Sequence, residues 1–390
     1  MGFKEITEEN VKGKKVLVRV DYDVPMKNGK VVSGGRIKAS LDTLKYLLSG
    51  GAAVILCSHL DRPGGKKKKE LSLKVVAKEL EKLIGTKVAF VSDCIGPRRD
   101  KAVGKAKSGD VVLLENVRFH KEEEENNPKF AGKLTRGCDL FVNDAFPAAH
   151  RNHTSIVGVT KILPSYAGIN LAKEVKVLTE TFENPKKPLV AVIGGAKIST
   201  KIEVLKALSQ KVDVLILGGG MAITFAAGEG YEVGNSLFEE EFLDEADNVR
   251  REAEDNGVEV LLPDDFMAAK STSEGAKPIA KAIDEIDKTD IIVDIGPRSI
   301  SKFSEPLKFA GTIFWNGPVG IAEIKNFAGG TKAIANIIAD SGAKSIIGGG
   351  DTAAAVADEN LKFDFVSSGG GATLAFISGE KLPGIEALKQ

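Results

Sequence analysis

Cysteine is scarce in this chain of 390 residues: Cys57, Cys94 and Cys138 are all it has, and they lie far apart. None of their spacings is one that builds a zinc site or a redox dithiol, so three reduced thiols in a cytosolic protein are expected. Net charge is also missing, because Lys plus Arg and Asp plus Glu each number 54. That balance removes long-range attraction for DNA or an anionic membrane, and any anion must be held by a local cluster. No apolar run is long enough to cross a bilayer. The N-terminal MGFKEITEEN lacks the hydrophobic core of a signal peptide. A cytoplasmic protein with no nucleic-acid or membrane partner is the expectation.

Several nucleotide signatures are absent as well. There is no GxxxxGK[ST], which excludes a P-loop. There is no HRD or DFG, which excludes a protein kinase, and no GxGxxG follows a strand. The last absence disfavours an NAD-dependent dehydrogenase.

What is present reads as an ordinary globular composition, 43% hydrophobic, in a chain long enough for two cores. Short apolar runs recur at helix-plus-strand spacing: KVLVRV, AAVILCS, KVAFV, DVVLLE and DLFVN in the first half, LVAVIG, DVLILGGG, VEVLLP, DIIVDIG, TIFW and SIIGGG in the second. That spacing predicts parallel sheets with crossover helices, an α/β fold in both halves. Ile37, Leu41, Leu44 and Leu48 share one helical face after Arg36, as do Ile202, Leu205 and Leu208 after Lys201. Between the halves, SYAGINLAKEVKVLTETFENPKKP reads as a long helix ending at Asn184-Pro185, followed by Pro188. It marks the domain boundary and a candidate hinge. The KKKK run at 66–69 and the EEEE run at 122–125 read as solvated loops or helix ends.

In parallel sheets, ligands bind beyond the carboxyl ends of the strands. The residues following the first-half strands are Asp21, Asp23, His59, Arg62, Arg118 and the AHRNH stretch, with Arg36 opening a helix. Only four histidines exist in the chain, and His150 and His153 flank Arg151. The second-half strands end instead in glycine: IGGAK, LGGGMA, DIGPR, WNGPVG, GGGDT and SGGGA. Guanidinium forks suit a small, highly anionic molecule. Glycine turns feeding helix N-termini suit nucleotide phosphates. Each signal alone is weak; their segregation between the halves carries the reading. Lys197 and Lys201, four apart, are expected on one side of a helix start, aimed at phosphate oxygens.

The motifs VRVDYDVP, SHLDRPGG, LLENVRF, FVNDAFPAAHR, GGAKISTKI, GGGMA, WNGPVGIAE, GGGDTAAA and VSSGGGATL, in this order, resemble the motif set of the phosphoglycerate kinase family from end to end. The resemblance implies two similar-sized Rossmann-like domains, each a mostly parallel sheet flanked by helices, joined by a hinge helix. The boundaries expected are 1–165 for triose binding, 166–188 for the linker helix and hinge, 189–375 for nucleotide binding, and 376–390 for a segment packing back toward the first domain. It implies reversible phosphoryl transfer between 1,3-bisphosphoglycerate and ADP, giving 3-phosphoglycerate and ATP, by a monomer. Asp21, Asp23, Arg36, His59, Arg62, Arg118, His150 and Arg151 carry over as triose-binding residues, with His153 in support. Gly195, Ala196, Lys197, Lys201, Gly220, Asn316, Pro318, Glu323, Gly349, Gly350, Asp351 and Thr352 carry over for the nucleotide. Arg36, Lys197 and Lys201 would neutralise the phosphoryl group in flight, Glu323 would meet the ribose, and Asp351 the nucleotide-bound Mg²⁺.

The acceptor carboxylate, with a pKa of about 3.5, is ionised at neutral pH and needs no general base. Alignment and charge stabilisation then suffice. Three positions depart from the family pattern: Asp23 where asparagine is usual, Asp61 where glycine is usual, and Pro147-Ala148 where Gly-Thr is usual. Altered triose affinity is expected from them. A catalytically idle nucleotide-binding scaffold is the rival reading; the presence of Arg36, Lys197, Lys201 and Asp351 speaks against it.

Overall fold

Side chains alternate across strand β1 (Lys15–Arg19): Val16 and Val18 enter one hydrophobic layer and Leu17 the other, on the face shared with Arg19. Burial on both faces explains why such strands read as continuous apolar runs. The computed structural model describes residues 2–356, 359 and 361–389. It divides into two compact units, Met1–Lys176 with Lys381–Gln390, and Val177–Glu380.

In the first unit, β4 (Ala53–Cys57), β5 (Val88–Val91), β6 (Val111–Leu114), β7 (Leu140–Asn143) and β8 (Ser165–Ala167) join β1 in the order β5-β6-β4-β1-β7-β8, all parallel. A short antiparallel hairpin, β2 (Met26–Lys27) and β3 (Lys30–Val31), lies apart from this sheet. One layer packs Val54 and Leu56 with Leu44, Leu47 and Val76; the other packs Ile55, Leu114 and Phe141 with Leu134. Because the strands are parallel, the ends of β6, β4, β1 and β7 open on one edge, and their loops are neighbours there.

The second unit repeats the plan with β9 (Leu189–Ile193), β10 (Val214–Leu217), β11 (Glu259–Leu261), β15 (Thr312–Asn316), β16 (Lys344–Gly348) and β17 (Phe365–Ser367), ordered β11-β10-β9-β15-β16-β17 and all parallel. A separate antiparallel sheet holds β12 (Asp265–Ala269) between β13 (Ile279–Ala282) and β14 (Ile291–Ile295). The run DIIVDIG therefore belongs to an antiparallel strand, contrary to the parallel reading. The apolar run misleads because Ile292 packs with Phe266 on one side while Val293 packs with Phe327 on the other, and two-sided burial does not depend on strand direction.

Two expectations need correction at the element level. Residues 165–167 are strand β8, not helix; the helix runs Ile169–Glu183. It starts where it does because Asp144 Oδ1 accepts from Asn170 N (2.9 Å) and Leu171 N (3.2 Å), acting as a cap from outside the segment. The apolar face after Arg36 is split into the helices Gly35–Ala39 and Leu41–Ser49 at Ser40, whose hydroxyl bonds Ile37 O and Tyr22. The KKKK residues are exposed. No helix among the described residues is long and apolar enough to cross a membrane, and the three cysteines are buried free thiols.

Candidate active site

The end of β1 delivers Asp21 and Asp23, that of β4 His59 and Arg62, that of β6 Arg118, and that of β7 His150 and Arg151. Arg36, in the first turn of its helix, reaches the same edge: its Nη1 lies 2.9 Å from Asp21 Oδ2 and 3.7 Å from Asp23 Oδ2. His59 stands 3.9 Å from Asp21 Oδ1 and 3.7 Å from Asp23 Oδ2. Arg118 donates to Asp61 O at 3.1 Å and meets Glu124 at 3.4 Å.

Several arginines act together on the histidines of this edge. Burial, then Arg19, Arg118 and Arg36, hold the His59 imidazole well below its ordinary pKa. His150 falls to about 4 through burial and Arg151, and His153 to about 3 through burial and Arg118. All three histidines are neutral at pH 7, so the arginines supply the charge and the rings supply hydrogen bonds. Arg62 is exposed and extends from the β4 loop into solvent.

The departures find partners. Asp23 Oδ1 accepts from Asp61 N at 2.7 Å, so this carboxylate braces the loop that carries Arg62. Asp61 takes φ 56°, the left-handed conformation that glycine adopts without strain. Pro147 lies in the turn Phe146–Ala148, whose end is closed by Ala149 N donating to Phe146 O at 2.9 Å.

In the second unit the glycine loops pack on one another. A side chain at Gly194 would collide with Pro318 O, and one at Gly220 with Ala196 O, so these backbones approach as closely as chemistry allows. Gly195 N donates to Pro318 O at 2.8 Å, Gly194 N to Asn316 O at 3.0 Å, and Gly317 N to Thr352 Oγ1 at 2.7 Å. Beside them opens a cavity of about 410 Å³ walled by Gly195, Ala196, Gly219, Gly220, Leu237, Phe266, Pro318 and Glu323. Its mostly apolar lining with a carboxylate at one wall suits a flat base joined to a hydroxyl-bearing sugar. Gly349, Gly350 and Thr352 follow β16, Gly349 with φ 94°. Asp351 lies in the same short helix, but its side chain is outside the described residues.

Lys197 and Lys201 do not share a helix face, contrary to expectation. Residues 194–201 form a loop, and Lys201 immediately precedes the helix Ile202–Leu208. The loop is built around Lys201 itself, whose Nζ donates to Gly194 O (2.6 Å), Asn316 Oδ1 (2.6 Å) and Asn316 O (3.2 Å). Lys197 is exposed.

The EEEE run is not uniformly solvated either. Glu123 is fully buried, and burial raises its carboxyl pKa. With Arg19 and Ser155 it forms a polar cluster beneath the strand ends that the pattern reading missed. The available signal was Arg19 itself, a charge inside the run Val16–Val20 where both sheet faces are covered.

The phosphoglycerate kinase family model matches residues 6–380. The chain belongs to the phosphoglycerate kinase family. It is 47% identical over 388 residues to the phosphoglycerate kinase of Dictyoglomus turgidum, covering 99% of this chain and 98% of that one. With the phosphoglycerate kinase of Pelotomaculum thermopropionicum it shares 45% identity over 390 residues, covering 100% and 99%. Among solved structures, phosphoglycerate kinase from Coxiella burnetii superposes with a TM-score of 0.87 at 43% identity, and that from Pyrococcus horikoshii with 0.89 at 30%; both cover 99% of this chain and 98% of theirs. The family assignment and the two parallel-sheet α/β units agree with the resemblance read from the motifs.

Proposed function

We propose that the protein is a phosphoglycerate kinase, a transferase that moves a phosphoryl group reversibly between 1,3-bisphosphoglycerate and ADP, giving 3-phosphoglycerate and ATP in glycolysis. In this chain the reading rests on the segregation of two kinds of strand end, cationic in one sheet and glycine-lined in the other. Triose phosphate and carboxylate bind Arg36, Arg62, Arg118 and Arg151, with His59 and His150 donating neutral hydrogen bonds and Asp21 and Asp23 holding Arg36 and the β4 loop in place. Nucleotide binds the cavity, with Glu323 toward the ribose and the loops at Gly195–Lys197, Gly220, Asn316–Pro318 and Gly349–Thr352 toward the phosphates.

The acceptor carboxylate is already ionised, so no side chain removes a proton in this reaction. The chain's task is to place two anions in line and offset the charge that spreads over the transferring group. Arg36 and Lys197 supply positive charge; Lys201 supplies it while fixing the loop carbonyls. Bound together with the nucleotide, Mg²⁺ would supply charge that offsets the phosphates. Asp351, by its place in the motif GGGDT, would hold that metal, whose remaining ligands would be phosphate oxygens and water. Closure about the helix Ile169–Glu183 brings the two substrates together and excludes water from the transfer. The active species is a cytoplasmic monomer.

The test is a coupled assay with ATP and 3-phosphoglycerate. Turnover that collapses in Arg36→Ala supports the reading, and a folded protein that binds ATP but shows no turnover overturns it. Small-angle scattering with both substrates should give a smaller radius of gyration than without them.

A further inference from the structure

Arg19 is 1% exposed, and among the described residues no carboxylate lies within ion-pairing distance of it. Its guanidinium donates instead to three neutral acceptors: Ser155 Oγ at 2.8 Å, the Val20 carbonyl, and His59 Nδ1 at 3.0 Å. A buried guanidinium served only by neutral groups is costly unless a charge stands close behind them. Glu123 is that charge. It is wholly buried, and Ser155 donates to it twice, Oγ to Oε1 at 2.5 Å and N to Oε2 at 2.9 Å. One hydroxyl thus accepts from a cation and donates to an anion.

Two consequences reach the triose site. Arg19 can only donate, so His59 Nδ1 must accept and the ring proton sits on Nε2, the nitrogen 3.7 Å from Asp23 in the strand-end cluster. Glu123 also fastens the segment that follows Arg151: its Oε2 accepts from Ser155 N at 2.9 Å and its backbone oxygen from Thr154 N at 2.8 Å. From this geometry we infer that Glu123 is a positioning residue for the triose site. Acting through Ser155, it orients Arg19, sets the His59 tautomer and seats the backbone behind Arg151.

This inference rests on the proposed function, and its test separates the two. Glu123→Gln removes the charge and keeps the shape; Ser155→Ala removes only the hydroxyl. Both should raise the Michaelis constant for 3-phosphoglycerate by roughly tenfold while that for ATP stays unchanged. In the unliganded protein, ¹⁵N spectra of the His59 ring should report the Nε2–H form in the wild type and a tautomer mixture in both variants. An unchanged triose constant in both variants overturns the inference, as does an equal rise in both Michaelis constants. Wild-type protein that turned over no 3-phosphoglycerate would defeat the functional reading; the ring spectra would still decide the relay, an unaltered tautomer in both variants refuting it.

Discussion

Arg36 Nη1 lies 2.9 Å from the buried Asp21 Oδ2, so the cation proposed to face the transferring phosphoryl group is held by a carboxylate from the end of the neighbouring strand. Removing Arg36 then has two effects, loss of positive charge and an unpaired buried Asp21 beside an anionic ligand. Arg36→Ala should lower kcat by about 10²–10³-fold and raise the triose KM. Arg36→Lys should recover little, because a point charge does not reproduce the planar fork. Steady-state kinetics at saturating ATP measure both.

Lys201 ties Gly194 and Asn316 together through three oxygen atoms. Lys201→Ala should therefore raise the KM for ATP as well as reduce kcat, whereas Lys197→Ala should act mainly on kcat because Lys197 is exposed. Nucleotide titration by calorimetry separates the two: a Lys201→Ala variant that binds ADP as well as the wild type would contradict the loop-building role.

Asp23→Asn keeps an acceptor for Asp61 N and removes one negative charge from the triose site. The Asp23 pair with Arg36 is long and partly exposed, so the change is modest. The triose KM should fall about threefold with kcat nearly constant, and a rise in KM would show that the charge serves binding.

The Asp144 carboxyl is pushed up to about 7 by burial, with Oδ1 capping the helix Ile169–Glu183 and Oδ2 buried without a partner. A carboxyl whose folded pKa is raised stays protonated while the unfolded chain ionises. Stability is therefore lost as pH rises from about 4 to about 7, and the deficit is constant above that. Asp144→Asn retains the capping oxygen and removes the titration. Its urea midpoint should exceed that of the wild type at pH 8, and the margin should shrink at pH 5. A margin independent of pH would refute the assignment.

His59, His150 and His153 are held below their ordinary pKa, the latter two at about 4 and about 3. Their ring C–H proton resonances should not titrate between pH 5.5 and 8. Because each stays neutral when the unfolded chain begins to protonate, stability should decline as pH falls from about 6.5 toward 4. A titration midpoint near 6.5 for His150 would place it in solvent, away from Arg151.

Much of this protein was readable one residue at a time. Two-sided burial makes a strand apolar along its whole length, so β1, β4, β9 and β15 stand out without any knowledge of their neighbours. Parallel order then sends Asp21, His59, Arg118 and Arg151 to one edge, and the glycine turns to an edge of the other sheet. Strand direction was not readable for β14, since burial on both faces looks the same in either direction. Nor was the start of the helix at Ile169, because its cap is supplied by Asp144, 25 positions before it. The fate of a charge depends on what the fold places around it: Glu123 belongs to a run of four identical residues, and only tertiary packing removes it from water and sets it behind Ser155 and Arg19. Local pattern determined which elements form and where the reactive groups enter the sheets. Contacts between residues distant in the chain decided which of those groups are charged, which are neutral, and which hold the others in place.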